Sequence, residues 1–246
     1  MNGKFCRKFH YQTNFDFPIG TLPTSPQYWP KEWSEIYHKE YPRMTRIKLS
    51  NKILDLGNFR NALVSRQATR EYNLEKSLTF EELSTLLSYS AGVKSLNNNS
   101  AETRRFYPSG GARYPLEIYL LIQRVDTLSP GIYHYNVKEN SLEILTVDKD
   151  DIDYFNEGLY YPWSRDAALT YVITSVWERN FMKYKQRGYR IILLEAGHLA
   201  HNVSLICAAL GIGCCNSVGF HNTRMNDVLD IKHEDEDSLY MATIGK

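Results

Sequence analysis

Apolar positions recur along this chain with two periods, and the period decides which element each stretch can form. In residues 78–93, "LTFEELSTLLSYSAGV", Leu83, Leu86 and Leu87 lie three and four apart and share one helical face. Thr79 is placed to cap that helix, Glu82 completes a capping box and Gly92 supplies a stop. The stretches "LEIYLLIQRV" and "GIYHYNV" are short, apolar and rich in branched and aromatic residues, and "DTLSPG" between them carries a Pro-Gly turn signal. With "SLEILTVD" they predict a three-stranded meander. "DIDYFNEGLYYPWSRD" reads as a connection or short helix, and "ALTYVITSV" as a further strand.

From residue 189 to 210 helical spacing returns over Leu194, His198, His201 and Leu205, and Gly211 and Gly213 can end the helix. "CCNSVGF" follows as a strand, "TRMNDVLDI" as a short helix, "HEDEDS" as an exposed acidic run and "LYMATIG" as a last strand. A shorter helix is expected over 58–64, and "KSLNNNSAETRR" as a loop. This order is an α+β pattern, with neither a βαβ dinucleotide unit nor an internal repeat. Residues 1–55 read differently. Their tryptophans, tyrosines and prolines suit an extension that packs on a main domain at 56–246 rather than a free tail.

Composition narrows the function classes. Lys plus Arg total 29 against 28 Asp plus Glu, a formal charge of +1, so no global field favours a nucleic acid. The longest apolar run is broken by Glu195, His198, His201 and Asn202, which argues for a buried helix over a membrane span. The first residues lack the apolar core and cleavage pattern of a secretory signal, and a cytoplasmic protein is expected. Cys6, Cys207, Cys214 and Cys215 form no paired Cys-x-x-Cys motifs and are expected as soft core packing.

Four stretches can carry chemistry. "RQATREY" places Arg66 and Arg70 four apart, on one face if helical, where two guanidinium forks could hold one phosphate. "RRFYPSGGARYP" sets Ser109, Gly110 and Gly111 between Arg105 and Arg113, a turn able to offer a hydroxyl and close backbone N–H groups, restrained by Pro108 and Pro115. It is neither a dinucleotide fingerprint nor a nucleophile elbow. "RNFMKYKQRGYR" interleaves cations with aromatics; it could contact RNA, or it could present Lys183 and Tyr184 for proton transfer. His198 and His201 beside Glu195 could share a metal-binding face, but buried packing histidines are the expected reading, and no metal is assigned.

Taken together, "RQATREY", "LTFEELSTLLSYSAG", "RRFYPSGGARYPLEIYLLIQRV", "PGIYHYN", "KYKQRGYRIILLEAGHLAHNVSLICAALGIG" and "SVGF" resemble the nitroreductase-like FMN flavoproteins, and more narrowly the SagB-type dehydrogenases that mature thiazole- and oxazole-containing peptides. The resemblance implies a central, mainly antiparallel sheet flanked by helices, in a homodimer with FMN near the subunit boundary. It implies that Arg66 and Arg70 hold the FMN phosphate, that Pro108, Ser109, Gly110 and Arg113 form the turn beside the flavin ring, and that Asn202 and Gly219 lie near the cofactor. Lys183 and Tyr184 match the paired residues used for proton removal. Ala68 stands where a Ser is usual, Lys185 where a Gly commonly follows the pair, and His201 where a Gln precedes Asn202.

The implied reaction oxidises a thiazoline or oxazoline ring of a ribosomally made peptide to the azole, downstream of a cyclodehydratase that forms the ring. An NAD(P)H-dependent nitro or quinone reductase of the same fold, and an RNA-binding protein using residues 179–190, are the alternatives.

Overall fold

The computed structural model describes residues 30–34, 37–95 and 103–246. Its centre is a seven-stranded sheet in the order β1-β6-β5-β4-β7-β9-β8, with every neighbouring pair antiparallel. The strands are β1 (Arg46–Lys48), β4 (Leu116–Ile122), β5 (Gly131–Asn136), β6 (Ser141–Thr146), β7 (Leu169–Val176), β8 (Gly213–Ser217) and β9 (Glu236–Gly245). A separate ribbon pairs β2 (Val93–Ser95) with β3 (Arg104–Arg105). The predicted meander is β4, β5 and β6, side by side in the sheet.

Both faces of the sheet are covered, which is why β4 reads as a continuous apolar run and is buried throughout. Alternation sends Leu116, Ile118, Leu120 and Ile122 to one face, where they pack with Leu83 and Leu86 of α3 (Phe80–Ala91) and Leu199 and Val203 of α6 (Gly188–Leu210). Tyr119 and Leu121 point to the other face, against Phe155 of α4 (Lys149–Glu157) and Met225 of α7 (Asn222–Val228). The α3 capping box forms as expected: Thr79 Oγ1 accepts from Glu82 N–H, and Glu82 Oε2 from Thr79 N–H.

α6 runs one residue beyond the predicted span at its start and ends at Gly211 in the left-handed conformation. By length and composition the helical stretch Glu178–Leu210 is apolar enough to cross a membrane, despite its polar interruptions; half of that apolar window is buried inside the fold. Two further expectations fail. His198 and His201 are exposed on α6, not buried at a packing surface, because Leu199, Ala200 and Val203 occupy the inward face. Glu236, expected in an exposed acidic run, opens β9 and is buried, where Thr174 Oγ1 donates to it.

The described part of residues 1–55 is tied to this core by polar contacts. Lys39 Nζ donates to Glu236 and to the Tyr119 hydroxyl, and Tyr41 N–H donates to Glu143 at 3.0 Å. Beneath it lies a buried charge relay: His134 sits between Glu143 (2.9 Å) and Glu117 (3.2 Å), and Arg179 closes on Glu117. Burial alone would raise the Glu117 carboxyl, but Arg179 and His134 outweigh it and hold it far below the usual carboxylate range. Residues 1–29, including Cys6, lie outside the described residues; Cys207, Cys214 and Cys215 are buried free thiols.

Candidate active site

α6 carries functional groups on neighbouring sides. One side meets the Pro108–Gly110 turn. Ser109 Oγ accepts from Tyr114 N–H at 2.8 Å, fixing the turn, and Gly110 lies so close to Ile191 that a β-carbon there would stand 2.5 Å from its side chain. Gly111 takes φ +63°, and a β-carbon on it would fall 2.3 Å from the Tyr184 hydroxyl and 3.2 Å from Lys183 Nζ. The turn and the Lys183–Tyr184 pair at the end of α5 (Glu178–Tyr184), far apart in sequence, therefore form one cluster. Lys185 follows with φ +49°, the left-handed region in which Gly is at ease and a side chain is strained.

Burial shifts the ionisable groups of this cluster from their ordinary values. Burial and the nearby Arg113 charge lower Lys183 to about 8, so a neutral amine is accessible near physiological pH. Burial raises Tyr184, keeping its phenol protonated. Glu195 is 1% exposed, and neither carboxylate oxygen has a hydrogen-bond partner of good geometry. Burial raises it to about 8, offset only in part by the Ser109 hydroxyl, the Arg105 charge and the Gly110 N–H. The sequence marks Glu195 as an interruption of an apolar run and a neighbour of two histidines, but spacing along the helix does not reveal its burial among the turn residues.

Arg113 has a different place from the one expected. It is 2% exposed, and its guanidinium donates to the carbonyls of Arg179 (2.8 Å) and Trp33 (2.7 Å) and to Met182 Sδ. It braces the turn against α5 and α1 (Lys31–Ser34). Arg179 is likewise buried on Glu117, and Phe181 and Tyr189 each stack on Trp177. Of the cations in residues 179–190, Arg179 and Lys183 are buried, Arg187 and Arg190 are half-buried and Lys185 is exposed, so the stretch does not present all its charge to solvent.

The other side of α6 borders a cavity of about 730 Å³ lined by Leu193, Ala196 and Gly197, by Cys215 to Val218 along and after β8, and by Arg70, Tyr161 and Trp163. Tyr161 and Trp163 stack at 5.5 Å, and the Arg70 guanidinium lies 5.9 Å over the Trp163 ring. Gly219 backs this wall, since a β-carbon there would stand 2.3 Å from the Tyr161 ring. An open, mostly apolar cleft with flat rings, small residues and one arginine fits a tricyclic ring carrying an anionic tail, so the residues present fit a flavin nucleotide.

Arg66 does not line this cavity. α2 (Phe59–Ser65) ends before it, and Ala68 pairs with Cys214 as an isolated parallel bridge, so the two arginines do not share a helical face. Arg66 influences the Cys214 thiol, while Arg70 hydrogen-bonds Cys215. Asn202 is also elsewhere, on a separate apolar groove with Phe59, Tyr89 and Phe106, where its amide donates to the Phe106 carbonyl. The turn cluster and the ring cavity thus lie on adjacent sides of one helix. Among the described residues there is no cluster of three or more metal-ligating side chains.

An antiparallel, helix-flanked sheet with a cleft lined by stacked aromatic rings and small residues defines an α+β scaffold able to hold a flavin-sized ring. Residues 63–246 match the nitroreductase family model, and the chain belongs to the nitroreductase family, with SagB-type relatives. A protein of Methanocaldococcus jannaschii assigned as a nitroreductase, MJ1384, is 30% identical over 188 residues, 76% of this chain and 89% of that protein. The microcin B17-processing protein McbC of Escherichia coli is 34% identical over 119 residues, 44% of this chain and 42% of McbC. The trifolitoxin-processing protein TfxB of Rhizobium leguminosarum is 26% identical over 166 residues, 64% of this chain and 44% of TfxB. The chain thus spans less than half the length of these two processing proteins. Among solved structures, the Escherichia coli microcin synthetase McbBCD complex with truncated pro-MccB17 bound shares the fold, with TM-score 0.62 and 19% identity over 98% of this chain and 91% of that one.

Proposed function

We propose that the protein is an FMN-dependent dehydrogenase that oxidises thiazoline or oxazoline rings in a ribosomally made peptide to thiazole or oxazole. The observation that carries this reading is the packing of Lys183 and Tyr184 onto the Gly111 turn, with Lys183 lowered to about 8. Turning an azoline into an azole removes two hydrogens, one as a proton and one as a hydride. Bound FMN supplies the hydride acceptor. Lys183 as the neutral amine takes the ring proton, and Tyr184 as the phenol orients the ring through a hydrogen bond. Arg70 and Gly219 belong to the cavity wall that would hold the cofactor, with Arg66 outside that wall as the candidate contact to a phosphate extending from it; Pro108, Ser109 and Gly110 would close over the ring.

A homodimer unites the turn cluster and the ring cavity, the turn of one copy facing the cavity of the other. The exposed apolar side chains flanking them support this: Val64 is 74%, Leu194 66% and Val218 69% exposed. A peptide bearing azolines and the cyclodehydratase that makes them are the partners of this reading, in the cytoplasm, with no nucleic acid or membrane required. The test is the absorbance spectrum of the purified protein followed by mass analysis. A bound FMN spectrum and loss of two hydrogens per converted ring are expected; a folded protein that binds no FMN rejects it. The similarity to MJ1384 favours a second reading, an NAD(P)H-dependent nitro or quinone reductase. Rapid bleaching of the flavin by nicotinamide, with reoxidation by a nitroaromatic, would select it.

A further inference from the structure

Residues 30–34 and 37–41 lie ahead of the part of the chain matched by the family model, yet Trp33 in this arm reaches the Lys183–Tyr184 cluster. The Trp33 indole lies 5.2 Å from Lys183 Nζ, measured to its ring centroid, and the Tyr184 ring lies 5.6 Å from the same nitrogen. Lys183 is thus flanked by one ring from its own helix and one from the arm. The Trp33 carbonyl accepts from Arg113 Nη1 at 2.7 Å, which ties the arm to the turn that carries Gly111. A four-residue helix cannot hold Trp33 by itself. Its placement comes from that bond and from Lys39 and Tyr41 further along, which anchor to Glu236 and Glu143.

We propose that Trp33 is a positioning residue for Lys183: its indole forms the wall that holds the lysine nitrogen against Tyr184 and the Gly111 turn and keeps water from that side. The proposal rests on the reading of Lys183 as the proton acceptor. Two effects of the indole oppose each other. A ring face attracts an ammonium and so favours the charged form. Covering the amine removes water from it, which favours the neutral form by more when burial is deep. Lys183 is 7% exposed, and burial is the first cause of its lowering to about 8, with Arg113 second, so covering is the larger effect. Among the described residues, the other ionisable groups of the cluster are Tyr184 on α5 and Glu195 on α6, which acts on Tyr184. None of these is altered by changing Trp33.

The test is competitive labelling of lysines in the full chain with trace acetic anhydride across pH, the Lys183 peptide being read by mass spectrometry. It requires neither flavin nor peptide substrate. Trp33→Ala should raise the Lys183 midpoint by about one pH unit toward that of an ordinary lysine. Trp33→Phe, which keeps a ring wall, should leave it within a few tenths of the native value. If Trp33→Ala does not fold, Trp33→Ser, which likewise removes the wall, is read by the same criterion. An unchanged midpoint in the folded variant overturns the proposal. Where azoline oxidation is observed, its pH profile should move upward by the same amount in the Ala variant. A shifted midpoint in a protein that oxidises no azoline leaves the Trp33–Lys183 relation standing and removes the substrate reading alone.

Discussion

Gly111 and Tyr184 approach so closely that a β-carbon at residue 111 would stand 2.3 Å from the tyrosine hydroxyl, and Gly111 also adopts φ +63°. Gly111→Ala therefore carries two costs: roughly 1 kcal/mol of backbone strain and the displacement of Tyr184. A melting temperature lowered by a few degrees and turnover lowered about tenfold or more are expected. Thermal unfolding and steady-state rates measure these separately, and native turnover in this variant would detach the turn from the chemistry.

A base with its midpoint near 8 makes kcat/KM climb with pH, because only the neutral amine of Lys183 accepts a proton. The rate should rise about tenfold per pH unit on the acid side and level off above about pH 8. Lys183→Met should remove that limb and at least about 100-fold of the rate, whereas Tyr184→Phe should slow turnover with the limb in place. A profile flat from about pH 6 to about pH 9 in the native enzyme would rule out the assigned base.

Glu195 links the site to stability. Its carboxyl is raised to about 8 in the fold against an ordinary value near 4.5, so between those limits the native state binds the extra proton. Stability must then fall as pH rises through that window, and the loss is complete above about 8. Glu195→Gln stays neutral throughout and should erase the slope, gaining on the order of a few kcal/mol relative to the native chain at about pH 9 and little at about pH 5. Urea denaturation at the two pH values decides it.

Much of this architecture was legible in the chain. Local rules were enough for α3, whose Thr79–Glu82 box and leucine stripe specify a helix without reference to anything distant. The meander was legible because apolar runs separated by turn residues have few alternatives. β1 and the β2–β3 ribbon were missed, since three-residue strands carry no period and exist only through partners supplied by the rest of the fold. The site was half legible for the same reason. Gly111, Lys183 and Tyr184 could be named from motifs, but the internal role of Arg113 depends on carbonyls at Trp33 and Arg179, which are distant in sequence. The burial of Glu236 likewise depends on Lys39, nearly two hundred residues away.

Arg66 and Arg70 can be tested as a pair. In an extended run four residues span on the order of 13 Å, about twice the separation of helical neighbours. The arginines also act on different thiols of β8, Cys214 and Cys215, which alternate between the faces of the strand. If both gripped one phosphate, removing either would disturb the other, and their effects on FMN affinity would be strongly non-additive. The placement of Arg70 over Trp163 in the ring cavity, with Arg66 outside it, predicts otherwise. Arg66→Ala and Arg70→Ala should each weaken FMN binding about tenfold, with the double variant near the product of the two. Only Arg66→Ala should reduce the preference for FMN over riboflavin, which lacks the phosphate. Flavin fluorescence titrations of the four proteins supply the cycle, and a coupling above about 1 kcal/mol would place both side chains on the same phosphate after all.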